Sequence, residues 1–145
     1  VVVLSRAGER WRRLEGEEDL VSRWNQEHGS RQGWQARSLV MHKLTMRQQM
    51  HSLWHSRLLV TVNGAQASAM LFLPPGAAAL NIYAHRARWT DMAFGAMQRI
   101  ALEMGGVRYL QVEASEEHTI AASYDDEFRR LRDADVWIPY SEFEA

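Results

Sequence analysis

Apolar and polar positions follow two rhythms along this chain, and the changes between them mark its elements. Val1 to Ser5 is a continuous apolar run led by β-branched valines, and it predicts a short buried strand. Arg6 to Glu18 is charged, with Trp11 and Leu14 as its apolar exceptions. Glu17 to Glu27 predicts a short helix with Leu20, Val21 and Trp24 on one face. Gly29-Ser30-Arg31-Gln32-Gly33 then reads as a loop. Gln35 to Ser56 is the longest helical stretch, striped by Leu39, Val40, Leu44, Met50, Leu53 and Trp54. Thr45 and Met46 interrupt the stripe, which fits a break into two shorter helices.

From Leu58 the period falls to two. Leu58 to Val62 predicts a strand, Asn63-Gly64 a hairpin turn, and Ala65 to Leu73 its partner strand. Pro74-Pro75-Gly76 ends that pair, because proline cannot donate to a ladder. Ala77 to His85 predicts a third strand, with Leu80, Ile82 and Ala84 opposite Asn81, Tyr83 and His85. Thr90 to Met104 predicts a helix buried along Ala93, Ala96, Met97, Ile100, Ala101 and Met104. Thr90 or Asp91 can cap its start and Gly105-Gly106 its end. Val107 to Ala114 predicts a strand, Tyr124 to Asp133 a last helix, and Val136 to Tyr140 a last strand. The unit from Ala77 to Ala114 is strand–helix–strand, so its two strands should be adjacent and parallel. Together these elements make an α/β domain with a mixed sheet.

Composition narrows the classes. The 145 residues suit one domain with its own core, expected to span residues 1–145. Apolar residues make up 46% and charged residues 24%, which argues against wholesale disorder. The net charge of −1 gives no global attraction to nucleic acid or to an anionic membrane. The absence of cysteine excludes disulfides, thiolate metal sites and a cysteine nucleophile, and it fits a cytoplasmic setting. No apolar run approaches the roughly 18 residues that a spanning helix needs. The chain does not begin with methionine, which fits a processed product or a domain cut from a longer protein.

The order of elements resembles the GNAT acetyltransferase superfamily. The resemblance rests on Leu58 to Ala114, with Gly-Gly-Val-Arg-Tyr-Leu-Gln-Val-Glu after the helix, and on the tail from Phe128 to Tyr140. It implies an antiparallel meander followed by the strand–helix–strand unit, with acetyl-coenzyme A between two splayed strands. It also implies acyl transfer to a small-molecule or protein amine. Tyr83, Arg86, Arg88 and Thr90 would surround the cofactor, its pyrophosphate lying at the helix start. His85 or Glu113 would accept the proton of the attacking amine. Tyr124 would protonate the departing thiolate. Trp89 and Asp91 stand where the family keeps small residues, and the family's final strand is missing. Those departures favour an alternative, a GNAT-like interaction module within a larger chain or complex. An open sheet edge would then take a protein partner.

Each candidate also has a plain structural reading. Arg86, Arg88 and Thr90 suit a solvated loop with a threonine cap. Asn81, Tyr83, His85 and Glu113 suit a strand face under a helix, and Tyr124 suits ordinary packing. His51 and His55 lie one helical turn apart, with His42 nearby, but two histidines make an incomplete metal site, and Ser52 replaces the glutamate of a zinc protease. No metal is expected. The six tryptophans are scattered and suit core and rim packing.

Overall fold

A computed structural model describes residues 1–10, 12–29, 33–87, 103, 106–125 and 127–141. In chain order its elements begin with β1 (Val2–Ser5), β2 (Leu14–Glu15), α1 (Glu17–Trp24) and a π-helical turn at Asn25–Gly29. Next come β3 (Arg37–Val40), a short 3-10 turn, α2 (Met46–Trp54), β4 (Leu58–Val62) and a 3-10 helix at Ala65–Phe72. The remainder is β5 (Ala78–Tyr83), β6 (Arg108–Glu113), β7 (Thr119–Ile120), α3 (Glu127–Arg132) and β8 (Asp135–Trp137).

The valine run explains the centre of the fold. β1 is buried along its whole length. A strand apolar on both faces belongs inside a parallel sheet covered on both sides. It pairs in parallel with β3 on one side and β4 on the other. β5 and β6 continue the sheet, also in parallel, giving the order β3-β1-β4-β5-β6. A smaller sheet, ordered β2-β8-β7, lies beside it.

The pleat divides the core into two layers. Val2, Leu4 and Leu59 pack with Leu53 of α2 and with Ala69 and Met70 of the 3-10 helix. Val3, Val60, Val62 and Ile82 pack on the other face with Leu14 and Val136 of the small sheet, and with Val21 of α1. Leu53, Leu59, Val60 and Ile82 are wholly buried, each worth about 1.5–3 kcal/mol by transfer from water. Among the described residues no helix is long and apolar enough to cross a membrane.

Several expectations hold. The first strand, the helix after Glu17, and the adjacency of Ala77–His85 with Val107–Ala114 in parallel are all present. The last helix and strand are present in shortened form.

Others need correction. The antiparallel meander is absent, because β4 and β5 run parallel. The hairpin at Asn63-Gly64 is absent too. The Asn63 amide extends the parallel pairing by donating to the Ile82 carbonyl at 2.8 Å. Beyond Gly64 the chain winds into the 3-10 helix instead of a strand. Ala65, Ala67 and Ala69 mimic period two, but that segment has no β-branched residue, and alanine favours helix. The long helix from Gln35 to Ser56 is also wrong at its start, which is β3. The break expected at Thr45-Met46 is present: a 3-10 turn at Met41–Lys43 precedes it, and Thr45 caps the start of α2. Its hydroxyl accepts the Gln48 amide, and the Gln48 side chain accepts the Thr45 amide at 2.9 Å. That reciprocal cap is worth about 1 kcal/mol. The helix expected over Thr90–Met104 lies outside the described residues, except Glu103, which is helical.

Candidate functional site

A parallel sheet collects all its strand ends of one kind along one edge. At the carboxyl edge a crevice forms where successive crossovers leave on opposite faces, and ligands of open α/β sheets bind there. The chain leaves β1 through α1, on the face of Val3 and Val60. It leaves β4 through the 3-10 helix, on the face of Leu4 and Leu59. β1 and β4 are neighbours, so the point where the crossovers change face lies between their ends.

The loops at that point are tightly held. After β1 the Ser5 hydroxyl accepts the Ala7 amide at 3.0 Å, and the Arg6 carbonyl accepts the Glu9 amide at 2.8 Å. Gly8 follows with φ 86°. After β4, Gly64 adopts φ 146° and ψ −173°, a region that side chains other than hydrogen rarely tolerate.

Two arginines converge on Gly64. A Cβ added there would lie 2.7 Å from Arg6 Nη2 and 2.8 Å from Arg12 Nη1. Glycine thus leaves open the spot over which both guanidinium groups meet. Arg6 Nε is buried and has no hydrogen-bond partner among the described residues. Burial first, and then the charge of Arg12, lower the pKa of Arg6. Glu9, Asp133 and Asp135 act in the opposite sense and offset this only in part, so the pair of cations is held at a cost in free energy that an anion between them would relieve.

Carboxylates from the other end of the chain hold this loop. Arg12, itself at φ 62°, reaches Asp133 through Nη2 at 3.2 Å. Arg13 donates its amide to Asp135 Oδ1 at 2.7 Å, and its Nε and Nη2 to Oδ2 at 3.1 and 2.8 Å. The hydrogen bond to Asp135 raises the pKa of Arg13. Beside Arg6 opens a cavity of about 260 Å³, lined by Arg6 and Arg13 and by Glu15, Glu17 and Glu18. Its mixture of donors and acceptors suits hydroxyl groups.

The residues singled out by sequence lie mostly elsewhere. His85 and Glu113 do come together at the ends of β5 and β6, with Nδ1 3.8 Å from Oε1. Glu113 Oε1 also accepts the Arg86 amide at 2.8 Å, and the His85 amide donates to Thr119 Oγ1 at 2.8 Å. Arg86 itself sits at φ 59°, with its guanidinium 3.9 Å from Glu127. Tyr83 is wholly buried, and its hydroxyl accepts from Asn81 Nδ2 at 3.0 Å. Tyr124 is half-buried just before α3. Arg88 and Thr90 lie outside the described residues. The rings of His51 and His55 lie 4.4 Å apart between centroids, tilted by 50°, and among the described residues no three potential ligands gather for a metal.

The sequence pattern marks none of Arg6, Arg12 and Asp133, and it marks Gly64 only as a turn residue. One signal was available: an all-apolar first strand must be central, and the residues just after it, Arg6 to Gly8, must then stand at the carboxyl edge.

A family model described as Glycosyltransferase 61 matches residues 1–80. That stretch contains β1, β3, β4, Arg6, Arg12 and Gly64. No curated protein matches the chain significantly. The match overturns the GNAT resemblance, and with it acyl transfer and acetyl-coenzyme A as the cofactor. The parallel pairing of β4 with β5 gives the physical reason, since it removes the meander on which that resemblance rested.

Proposed function

The chain belongs to the glycosyltransferase 61 family, and on that premise we propose that it binds the sugar-nucleotide donor of a glycosyl transfer. The diphosphate lies in the crevice between β1 and β4, over Gly64. The observation that carries this reading is the meeting of Arg6 and Arg12 at the point where the sheet order reverses. Guanidinium groups match phosphate geometry and stay charged, so they suit a diphosphate better than lysine would. The cavity beside Arg6 takes hydroxyl groups of the donor through its mixed carboxylates and arginines.

The chemistry follows from where charge moves. The acceptor nucleophile attacks the anomeric carbon of the donor. The bond from that carbon to the phosphate oxygen breaks, and its electron pair leaves with the nucleoside diphosphate. Negative charge on the diphosphate grows along the way. Two fixed cations beside it therefore bind the transition state more tightly than the intact donor. Partial burial of Arg6 strengthens that effect by lowering the local dielectric.

Calorimetric titration with a panel of nucleoside diphosphates and their sugar conjugates tests the reading. One base should bind with clear preference, and its affinity should fall as salt rises. Failure of every member of the panel to bind at millimolar concentration would overturn it.

A further inference from the structure

We propose that Asp133 is a positioning residue for the diphosphate, gripping one end of the Arg12 guanidinium so that the other end is presented over Gly64. The inference rests on the donor-binding reading above and adds a residue beyond the stretch matched by the family model, which ends at residue 80.

The atoms divide the work. Arg12 Nη2 meets Asp133 Oδ1 at 3.2 Å, whereas Nη1 is the atom beside the missing Cβ of Gly64. A planar guanidinium can make both contacts at once because its nitrogens are rigidly spaced. Asp133 is only 3% exposed, so its carboxylate is fixed by packing and can serve as an anchor. The neighbouring pair acts in the same sense. Arg13 is locked on Asp135 through three donors, and Leu14 pairs with Val136 between the sheets' two chain segments. The backbone on the carboxyl side of Arg12 is therefore held.

An anchor is needed because Arg6 repels Arg12. A free arginine side chain has rotamer entropy to gain by leaving. Without Asp133 the Arg12 side chain would swing into water, and the anion would meet one cation in place of two. Asp133 also brings a negative charge near the anion, which opposes binding. The geometric and the electrostatic effects thus have opposite signs, and experiment can tell which dominates.

The test uses inorganic pyrophosphate as the probe, titrated into the wild-type chain, Asp133→Asn, Arg12→Ala and the double variant. Asp133→Asn should weaken pyrophosphate about tenfold. In the Arg12→Ala background it should cause no further loss. Equal loss in both backgrounds would show a merely structural role and overturn the proposal, as would Asp133→Asn binding as tightly as wild type or tighter. Arg12→Lys is a second variant that leaves Asp133 in place. Lysine has one nitrogen and cannot both be gripped and reach over Gly64, so it should bind pyrophosphate about as weakly as Arg12→Ala. Retention of most of the affinity by Arg12→Lys would overturn the proposal. Absence of pyrophosphate binding in the wild type would overturn it too. Pyrophosphate binding with the expected cycle, but with no nucleoside diphosphate or sugar nucleotide bound, would leave Asp133 its role and overturn the donor reading.

Discussion

The loops that follow β1 and β5 look alike in sequence and differ in consequence. Each leaves the carboxyl edge of the parallel sheet, and each carries an arginine close to the strand end, Arg6 or Arg86. Each also contains a residue with positive φ, Gly8 in one and Arg86 in the other. At β5 the local charges are already matched. Glu113 takes the Arg86 amide, and Glu127 stands 3.9 Å from the guanidinium. At β1 the arginine is partly buried, its Nε has no hydrogen-bond partner among the described residues, and it faces a second arginine. The difference is set by topology. β5 and β6 are consecutive strands joined side by side, whereas β1 and β4 are neighbours whose chains depart on opposite faces. Topology thus decides whether an arginine at a strand end is held half-buried against a second cation, as Arg6 is, or sits at the surface beside a carboxylate, as Arg86 is.

The largest effect that should separate the two loops is at Gly64. Gly64→Ala forces a side chain into a glycine-only conformation, costing about 1–3 kcal/mol of stability. Its methyl group also displaces both guanidinium groups, so thermal melting should drop and pyrophosphate binding should disappear together. Arg6→Ala comes next. It should cost about 1.5–3 kcal/mol of diphosphate affinity by calorimetry, the scale of a charge-assisted hydrogen bond. Its melting temperature should not fall, because the variant removes a part-buried charge repelled by Arg12. A clear loss of stability in Arg6→Ala would mean that the arginine serves structure, and the contrast between the loops would weaken. The smallest effects belong to the β5 loop. Glu113→Gln and Arg86→Ala should each change stability by less than about 1 kcal/mol, since the groups are exposed and screened. Neither should alter nucleotide affinity. A tenfold loss in either would place the diphosphate at β5 and not at β1.

Much of the fold is legible from particular residues. Three valines and a leucine mark β1, and the alternation from Ala77 to His85 marks β5. Direction is another matter, because period-two patterning is the same in parallel and antiparallel strands. Asn63-Gly64 then tipped the reading toward a hairpin, since glycine signals positive φ without saying why it is needed. Here Gly64 is needed for its φ of 146° and for the room its missing side chain leaves. Thr45 and Gln48 carried a capping box that marks the start of α2, and the stripe of Leu39 to Trp54 hid it. The candidate site was less legible because its members come from three distant segments, at Arg6 and Arg12, at Gly64, and at Asp133. Spacing along the chain reveals groups on one helix or strand, and no local period links these. His85 and Glu113 were found because neighbouring parallel strands bring equivalent positions together.

The union of Arg13 with Asp135 ties residues 122 positions apart. Closing a loop of that length costs about 4 kcal/mol of chain entropy. β3 to β6 lie within the loop and β1 just ahead of it, so the strands of the parallel sheet can pair before that closure is made. Long-range contacts of this kind form slowly, and they form last when little else rewards them. In a refolding experiment the sheet should therefore gather before the two arginines face each other. Competence to bind an anion would appear as a late phase, trailing the formation of the sheet. On a ribosome the delay is longer still, because Arg12 emerges well before the aspartate that will hold it.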